Sequence, residues 1–557
     1  MCQSKGYITR NKDESPTPAS MPLVSYLALG YTLYLVLRFV YSFFKRSPFQ
    51  HINGPPTESW FMGNLGQLFN AKGLPFHQQI VDEYGGMVKV HAFFGDEQLY
   101  ISDPKALQSI LIKDQDAFEE TDVFIETNKV IFGPGLVATT GDQHKRQRKL
   151  VNPVFSVAQL KDLMPVFYRI SDRLADVIES EHAENPVLDM SQWMSRVALE
   201  MIGQTVLGYS FDPLSSRVNN PYTSAIKELI PTIFSLSLIR QFAPFLSKLG
   251  SPSFRRRLVE WTPNKAVQKV KSISDVMHNT AREILMVKRE EIGQEGVKNN
   301  RDIISVLLKA NENATEDAKM NENELTGQMT VLIFGAQDTT SSALSRILYL
   351  LSVRPDIQDK VRDELQTALQ SKGSGERLEY DEISELPWLD AVIKETLRLY
   401  PPVPFVRRTA IKERSLMYSP NVHDLDSFAS VTVPVGTTLF VGIAGANRLE
   451  SIWGPDAKLW KPERWIDQQA PGGRILPGIY AGMLSFLGGS RSCIGYRFAQ
   501  IEMKVLLATL LLRFRFSLTD DVIVWNLSQI ISPSVATKGD KGEDVERKGM
   551  PLKVEVL

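Results

Sequence analysis

From Asn323 to about Leu351 apolar residues recur at helical spacing: Leu325, Met329, Leu332, Ile333, Leu344, Ile347, Leu348 and Leu351. That period predicts one helix, and about 30 residues at 1.5 Å each span about 45 Å, enough to cross a whole domain. Its centre breaks the pattern. Ala336, Thr339 and Ala343 form a stripe of small side chains, with Gly335 and Thr340 beside it, which leaves room for something flat to lie against the helix. Leu389, Val392, Ile393, Thr396 and Leu397 predict a second helix, stopped at Tyr400-Pro401-Pro402 because proline cannot continue it. A long apolar helix pattern also starts at Tyr496. Met87 to Phe94 and Gln98 to Ser102 read as two strands joined at Gly95-Asp96, before a break at Asp103-Pro104.

The amino-terminal pattern differs in kind. Met21 to Leu37 carries no charge, and after Arg38 the apolar run continues to Phe44 before Lys45 and Arg46. About 24 such residues suffice to span roughly 30 Å of hydrocarbon, with Arg38 snorkelling towards the headgroups. A cleaved signal peptide fits worse, because the segment is too long and lacks a small-residue cleavage site. The sequence thus divides into a tail (1–20), a transmembrane anchor (21–44), a basic and proline-rich hinge (45–56) containing Gly54-Pro55-Pro56, and a body (57–557). Basic residues flank the span on both sides, so charge alone leaves its orientation open.

Composition excludes some classes. The 557 residues carry 63 Lys and Arg against 64 Asp and Glu, dispersed along the chain, so charge supplies no nucleic-acid footprint. No repeat of 20 to 50 residues is visible, and no linker divides the chain after about residue 60. The two cysteines, Cys2 and Cys493, leave the body without an internal disulfide and suit a reducing compartment.

Cys493 sits in Phe486-Leu487-Gly488-Gly489-Ser490-Arg491-Ser492-Cys493-Ile494-Gly495. A lone cysteine is most often an inert small hydrophobe, but these neighbours suit a thiolate. Arg491 is positive, the amides opening the following helix point towards the sulfur, and Gly489 and Gly495 remove side chains where backbone N–H groups approach. A thiolate held this way is an axial ligand for haem iron.

The ten residues match F-x-x-G-x-R-x-C-x-G and resemble the haem-binding loop of the cytochrome P-450 family, fungal microsomal members above all. Three further stretches resemble family elements in the right order: Gly335-Ala336-Gln337-Asp338-Thr339-Thr340, Glu395-Thr396-Leu397-Arg398 and Pro462-Glu463-Arg464-Trp465. The resemblance covers roughly residues 50 to 557. It implies a mainly α fold with a smaller β region, one large haem domain behind a transmembrane helix, and haem b with Cys493 as metal ligand. It also implies that Thr339 hydrogen-bonds bound dioxygen while Asp338 relays protons, although Gly335-Ala336 reverses the commoner Ala-Gly and adds a methyl at the oxygen site. Glu395 and Arg398, taken alone, would be a surface ion pair worth little; the resemblance adds Arg464 and implies a buried network that locks the cysteine segment. Arg148, Arg408 and Arg491 match propionate contacts, and His144 stands where the family has tryptophan.

On the substrate side the resemblance points to Phe124, Ile131, Phe234, Ala336, Phe405 and Ile531, while apolar residues around Phe242 and Phe245 could dip into a membrane surface. The activity implied is insertion of one oxygen atom from O2 into a lipophilic small molecule, in a setting such as secondary metabolism. Electrons would come from NADPH through NADPH-cytochrome P-450 reductase, with cytochrome b5 as a second donor and Lys145, Arg146 and Lys149 facing the donor. The location implied is the endoplasmic reticulum membrane, single-pass, with the catalytic domain cytosolic. The alternatives are a reductase-independent haem isomerase or dehydratase, against which the Asp338-Thr339 pair argues, and a non-catalytic haem-binding protein.

Overall fold

The computed structural model describes residues 47–214, 221–237, 239–293, 302–373, 375–420, 427–467, 476–538 and 544–557. The tail, the span proposed over 21–44 and the first two residues of the proposed hinge lie outside the described residues. His51–Leu557 form one compact unit; of the other, Met1–Gln50, only the last four residues are described. Gly54-Pro55-Pro56, at the end of the proposed hinge, lies within the compact unit. Lys89 N–H donates to Asn53 O at 2.9 Å, Pro55 is buried, and a Cβ on Gly54 would sit 1.8 Å from the Lys89 carbonyl oxygen.

Helices dominate. The elements that build the site are α1 (Leu74–Tyr84), α2 (Asp122–Phe132), α3 (Gly141–Val151), α4 (Val157–Glu184), α5 (Met190–Ile202), α6 (Lys265–Gly293), α7 (Glu322–Val353), α8 (Pro355–Gln370), α9 (Pro387–Leu399) and α10 (Tyr496–Arg513). Helix α7 is the long helix that the apolar period predicts. It starts on a capping box, Asn321 Oδ1 accepting from Glu324 N–H and Glu324 Oε2 from Asn321 N–H, both at 3.0 Å. It packs along α5 and runs through the core. Helix α9 stops at Leu399, ahead of the two prolines, and α10 lies on α4 through Phe498 and Phe167, rings 5.2 Å apart.

The largest sheet orders its strands β1-β2-β5-β4-β3, from β1 (Met87–His91), β2 (Glu97–Ile101), β3 (Phe118–Glu119), β4 (Val406–Ala410) and β5 (Thr438–Val441). Strands β1 and β2 form the expected hairpin, paired from Met87 with Ile101 to His91 with Glu97. Its first strand is shorter than the alternation predicts. Phe93–Gly95 make a tight turn in which Phe94 has φ +55°, and the Phe94 ring meets those of Phe61 and Trp60 at 4.8 and 6.3 Å. Aromatic packing there outweighs strand propensity. The register of β3 against β4, Glu119 with Thr409, matters more for the site, because it sets Glu120 beside Arg408 and Glu119 within reach of Arg491.

Among the described residues no single helix is long and apolar enough to cross a membrane. A pair bent by 74°, Glu228–Ser235 with Ile239–Leu246, passes by length and composition together. Phe242 and Phe245 on that pair are 63% and 66% exposed.

Candidate active site

The cysteine loop is held by its own backbone. Cys493 N–H donates to Phe486 O at 2.9 Å, closing the segment into a ring. Gly489 has φ +71°, and a Cβ there would lie 1.9 Å from the Leu111 carbonyl oxygen, so only glycine fits. Leu487 also has positive φ, +56° with ψ −171°, a strained conformation for a side-chain-bearing residue. A Cβ on Gly495 would meet only the Phe155 ring, at 4.0 Å; Gly495 acts through its N–H, which points at the sulfur. The Cys493 sulfur lines a cavity, so its accessible surface is cavity wall. Burial raises the thiol pKa, and the Gly495 amide and Arg148 only partly offset this. The cation beside the sulfur is thus Arg148, where the sequence suggested Arg491.

Arg491 also lines the cavity, but its donors go to Thr139 O at 2.9 Å and Glu119 Oε1 at 2.5 Å. Arg408, on β4 next to the edge strand β3, meets Glu120 Oε2 at 2.8 Å, and its Nη2 is buried with no partner. Glu119 is raised by burial, but Arg491 and two backbone amides outweigh that and hold it below the usual carboxylate range. Burial pushes Glu120 up despite Arg408. Arg148 grips the loop itself, donating to Ser492 O at 2.8 Å and Ser492 Oγ at 3.1 Å. His144, one turn earlier on α3, is buried, and burial with Arg491 and Arg148 brings its pKa down to about 4. It is a neutral imidazole at pH 7. Helix α3 keeps this register because Gln147 bonds Pro134 O and Glu324, at 2.9 and 3.0 Å, and accepts from Gln328 at 3.0 Å.

The cavity, about 220 Å³, is bounded by α7, the segment after α9, the loop and α10. Gly335, Thr339, Thr340 and Ala343 face it from α7; Leu397, Val403, Val406, Ile443, Leu487 and Met503 make it apolar. Thr339 Oγ1 donates to Gly335 O at 2.7 Å, an i−4 bond within the helix. Asp338, one residue away and so about 100° round the helix, faces a different cavity of about 280 Å³ rich in hydroxyls, among them Ser191, Ser195, Ser341 and Ser345. Glu502 on α10 escaped the sequence reading. It is fully buried beside Thr340, neither carboxylate oxygen finds a partner of normal geometry, and burial raises its pKa well above the ordinary range. Polar neighbours at Gln500 and Lys504 made it read as one more exposed helix residue, and nothing local marked it as buried.

Behind the loop lies an ionic knot. Arg398 Nη2 and Nε donate to Glu395 Oε1 and Oε2 at 2.7 and 2.8 Å, and Nη1 to Asn447 O and Ala457 O at 2.9 and 2.7 Å. Arg464 Nε reaches Glu395 at 3.4 Å and Nη1 reaches Asp456 at 2.8 Å. Trp465 Nε1 adds a bond to Glu395 Oε2 at 3.0 Å. The knot continues to the cysteine segment: Asn447 accepts from Leu484 N–H at 2.8 Å and donates to Ser485 Oγ at 3.0 Å, and Phe486 follows directly.

Of the residues assigned to the substrate side, Phe124, Phe234 and Ala336 are partly buried and Ile131 is buried. Phe405, just before β4, stacks on His77 of α1 at 4.7 Å and meets Phe440 of β5 at 5.6 Å. Ile531 lines the hydroxyl-rich cavity. None of the six is among the residues lining the Cys493 cavity. Arg146 likewise points inward, bonding Glu324 and Lys319 O, whereas Lys145 and Lys149 are exposed.

The donor set fits an iron porphyrin: one sulfur in a glycine-shaped loop, a mostly apolar cavity under small α7 residues, and a buried guanidinium, Arg408, with an unsatisfied N–H. The comparisons agree. The family model described as Cytochrome P450 matches residues 53–529. Cytochrome P450 monooxygenase 91 of Postia placenta is 41% identical over 94% of this chain and 97% of its own length. Ganoderic acid synthetase of Ganoderma lucidum is 39% identical over 97% of this chain and 99% of its own. With the loop, the helix centre and the ionic knot all in place, the chain belongs to the cytochrome P450 family and is an oxidoreductase of the monooxygenase type.

Proposed function

We propose that this monooxygenase is held to the endoplasmic reticulum membrane by residues 21–44, receives electrons from an NADPH-dependent reductase, with cytochrome b5 as a second donor, and oxidises a lipophilic small molecule. The observation that carries the substrate class is the apolar wall facing Cys493. Haem bound there supplies dioxygen activation and insertion of a single oxygen atom.

The chain's own residues do the rest. Cys493 holds the iron; because burial raises the thiol, the metal must favour the thiolate. Arg148, Arg408 and Arg491 hold propionates, with Glu119 and Glu120 orienting two of the three. Leu397, Val403 and Ile443 exclude water and press an apolar substrate towards Thr339. Thr339 Oγ1 carries a proton at the cavity edge, and Asp338 stands in the hydroxyl-lined cavity from which it is resupplied. Exposed Phe242 and Phe245 support a second, weaker membrane contact.

NADPH-dependent oxygen consumption with a reductase tests the reading. The wild-type holoprotein is expected to couple consumption to product. Thr339→Ala, which removes only a hydroxyl from a helix, is expected to keep consuming NADPH while releasing peroxide. Oxygen consumption independent of reductase and NADPH would refute the electron route, and unchanged coupling would remove Thr339 from proton delivery.

A further inference from the structure

Six arginines are buried among the described residues. Five meet a carboxylate: Arg196 with Asp212, Arg362 with Asp359, Arg398 and Arg464 with Glu395, and Arg408 with Glu120. Arg346 on α7 is 8% exposed and makes no hydrogen bond or ion pair among the described residues. Its guanidinium lies over the rings of Trp525, at 3.3 Å, and Tyr400, at 4.3 Å. The rings stabilise its faces but take none of the N–H donors at its edge.

Those donors sit in the wall of a cavity of about 600 Å³ separate from the Cys493 cavity. Leu74, Val81, Pro401, Pro404 and Ala444 give it apolar walls. Arg448 lies beside Arg346 and donates only to neutral acceptors, Leu399 O at 2.9 Å and Gln78 Oε1 at 2.8 Å. At the rim Lys458 engages Asp82 at 3.0 Å and Glu450 at 3.7 Å. Arg346, Arg448 and Lys458 against Asp82 and Glu450 leave one positive charge in excess. Burial and the neighbouring Arg448 bring Arg346 down to about 9, so it is charged at neutral pH. The Arg346 donors have no protein acceptor among the described residues and open onto the cavity, where an anion would supply one.

We propose that this pocket binds the carboxylate of a lipophilic acid, with the planar edge of Arg346 as the anchor. A guanidinium pinned by its faces offers a two-pronged donor that matches a carboxylate, and one surplus charge matches a monoanion. The pocket shares a wall with the Cys493 cavity. Pro401 and Pro404 face one side and Pro402, Val403 and Val406 the other, and α7 shows Arg346 to one and Ala343 to the other. The two cavities share no lining residue, so an acid bound here occupies a site distinct from the Cys493 cavity.

The test is octanoate binding to the full-length holoprotein, read by Trp525 fluorescence against a Trp525→Phe control, with octanol and octyl phosphate in parallel and imidazole on the haem. Octanoate is expected to bind at least about tenfold more tightly than octanol, to bind more tightly than octyl phosphate, and to be indifferent to imidazole. Arg346→Met is expected to weaken it about tenfold or more while the carbon monoxide spectrum is retained. Should that variant not fold, Arg346→Lys, which keeps the charge and loses the fork, is expected to weaken octanoate severalfold. Equal binding of octanol, preference for the phosphate, competition by imidazole, or undiminished affinity in the folded arginine variants would each overturn the proposal.

Discussion

The ionic knot and the cysteine face are both buried, polar and built around arginine, yet they are finished to different degrees. In the knot Glu395, Arg398 and Arg464 are nearly solvent-free, and Asn447, Ala457, Asp456 and Trp465 take up the remaining donors and acceptors. On the cysteine face Arg408 keeps an unpartnered Nη2 and Cys493 a thiol disfavoured as an anion, and just behind it Glu502, beside Thr340, has neither carboxylate oxygen in a hydrogen bond of normal geometry. A satisfied cluster specifies shape, because every displacement breaks a bond. An unsatisfied one is complementary to something else.

The sharpest break in that contrast is Glu395→Ala. It leaves two buried guanidinium groups with one carboxylate fewer, a loss of about 3–5 kcal/mol, and a fall in thermal midpoint together with failure to retain haem should follow. A variant that is stable and fully haem-loaded would make the knot incidental. Cys493→Ala should do the reverse, costing little in secondary structure by circular dichroism while abolishing the thiolate band of the reduced carbon monoxide complex and all turnover. Survival of that band would remove Cys493 as ligand.

Glu502 sharpens the comparison through pH. Its folded pKa is raised, so the folded state keeps a proton that the unfolded state loses. The wild type therefore loses stability as pH rises from the ordinary carboxylate range towards the folded pKa, by up to about 1.4 kcal/mol per pH unit. Glu502→Gln should remove that slope and be no less stable at pH 7; identical pH profiles from urea titrations would show that the acid is not held protonated. The smallest effect belongs to the outer side of α3. Reversing the exposed Lys145 and Lys149 should slow the first electron transfer from the reductase at low salt, with the deficit shrinking as salt rises. An equal loss of peroxide-driven turnover would place them in the haem site instead.

Local signals carried far. The long apolar period drew α7 to within two residues of its observed ends, Pro401-Pro402 stopped α9, and F-x-x-G-x-R-x-C-x-G with E-x-x-R marked both the loop and its brace, because helical period, proline geometry and glycine requirements are properties of a few adjacent residues. Partnership was another matter. That Arg148 and not Arg491 stands by the sulfur, that Glu119 and Glu120 reach the matched arginines, that Asp338 and Thr339 face separate cavities, and that Phe405 packs against the sheet all depend on contacts between residues hundreds of positions apart. A sequence records which groups are available, and only the tertiary structure decides which are desolvated together, since burial and pairing are set by neighbours the chain brings in from elsewhere.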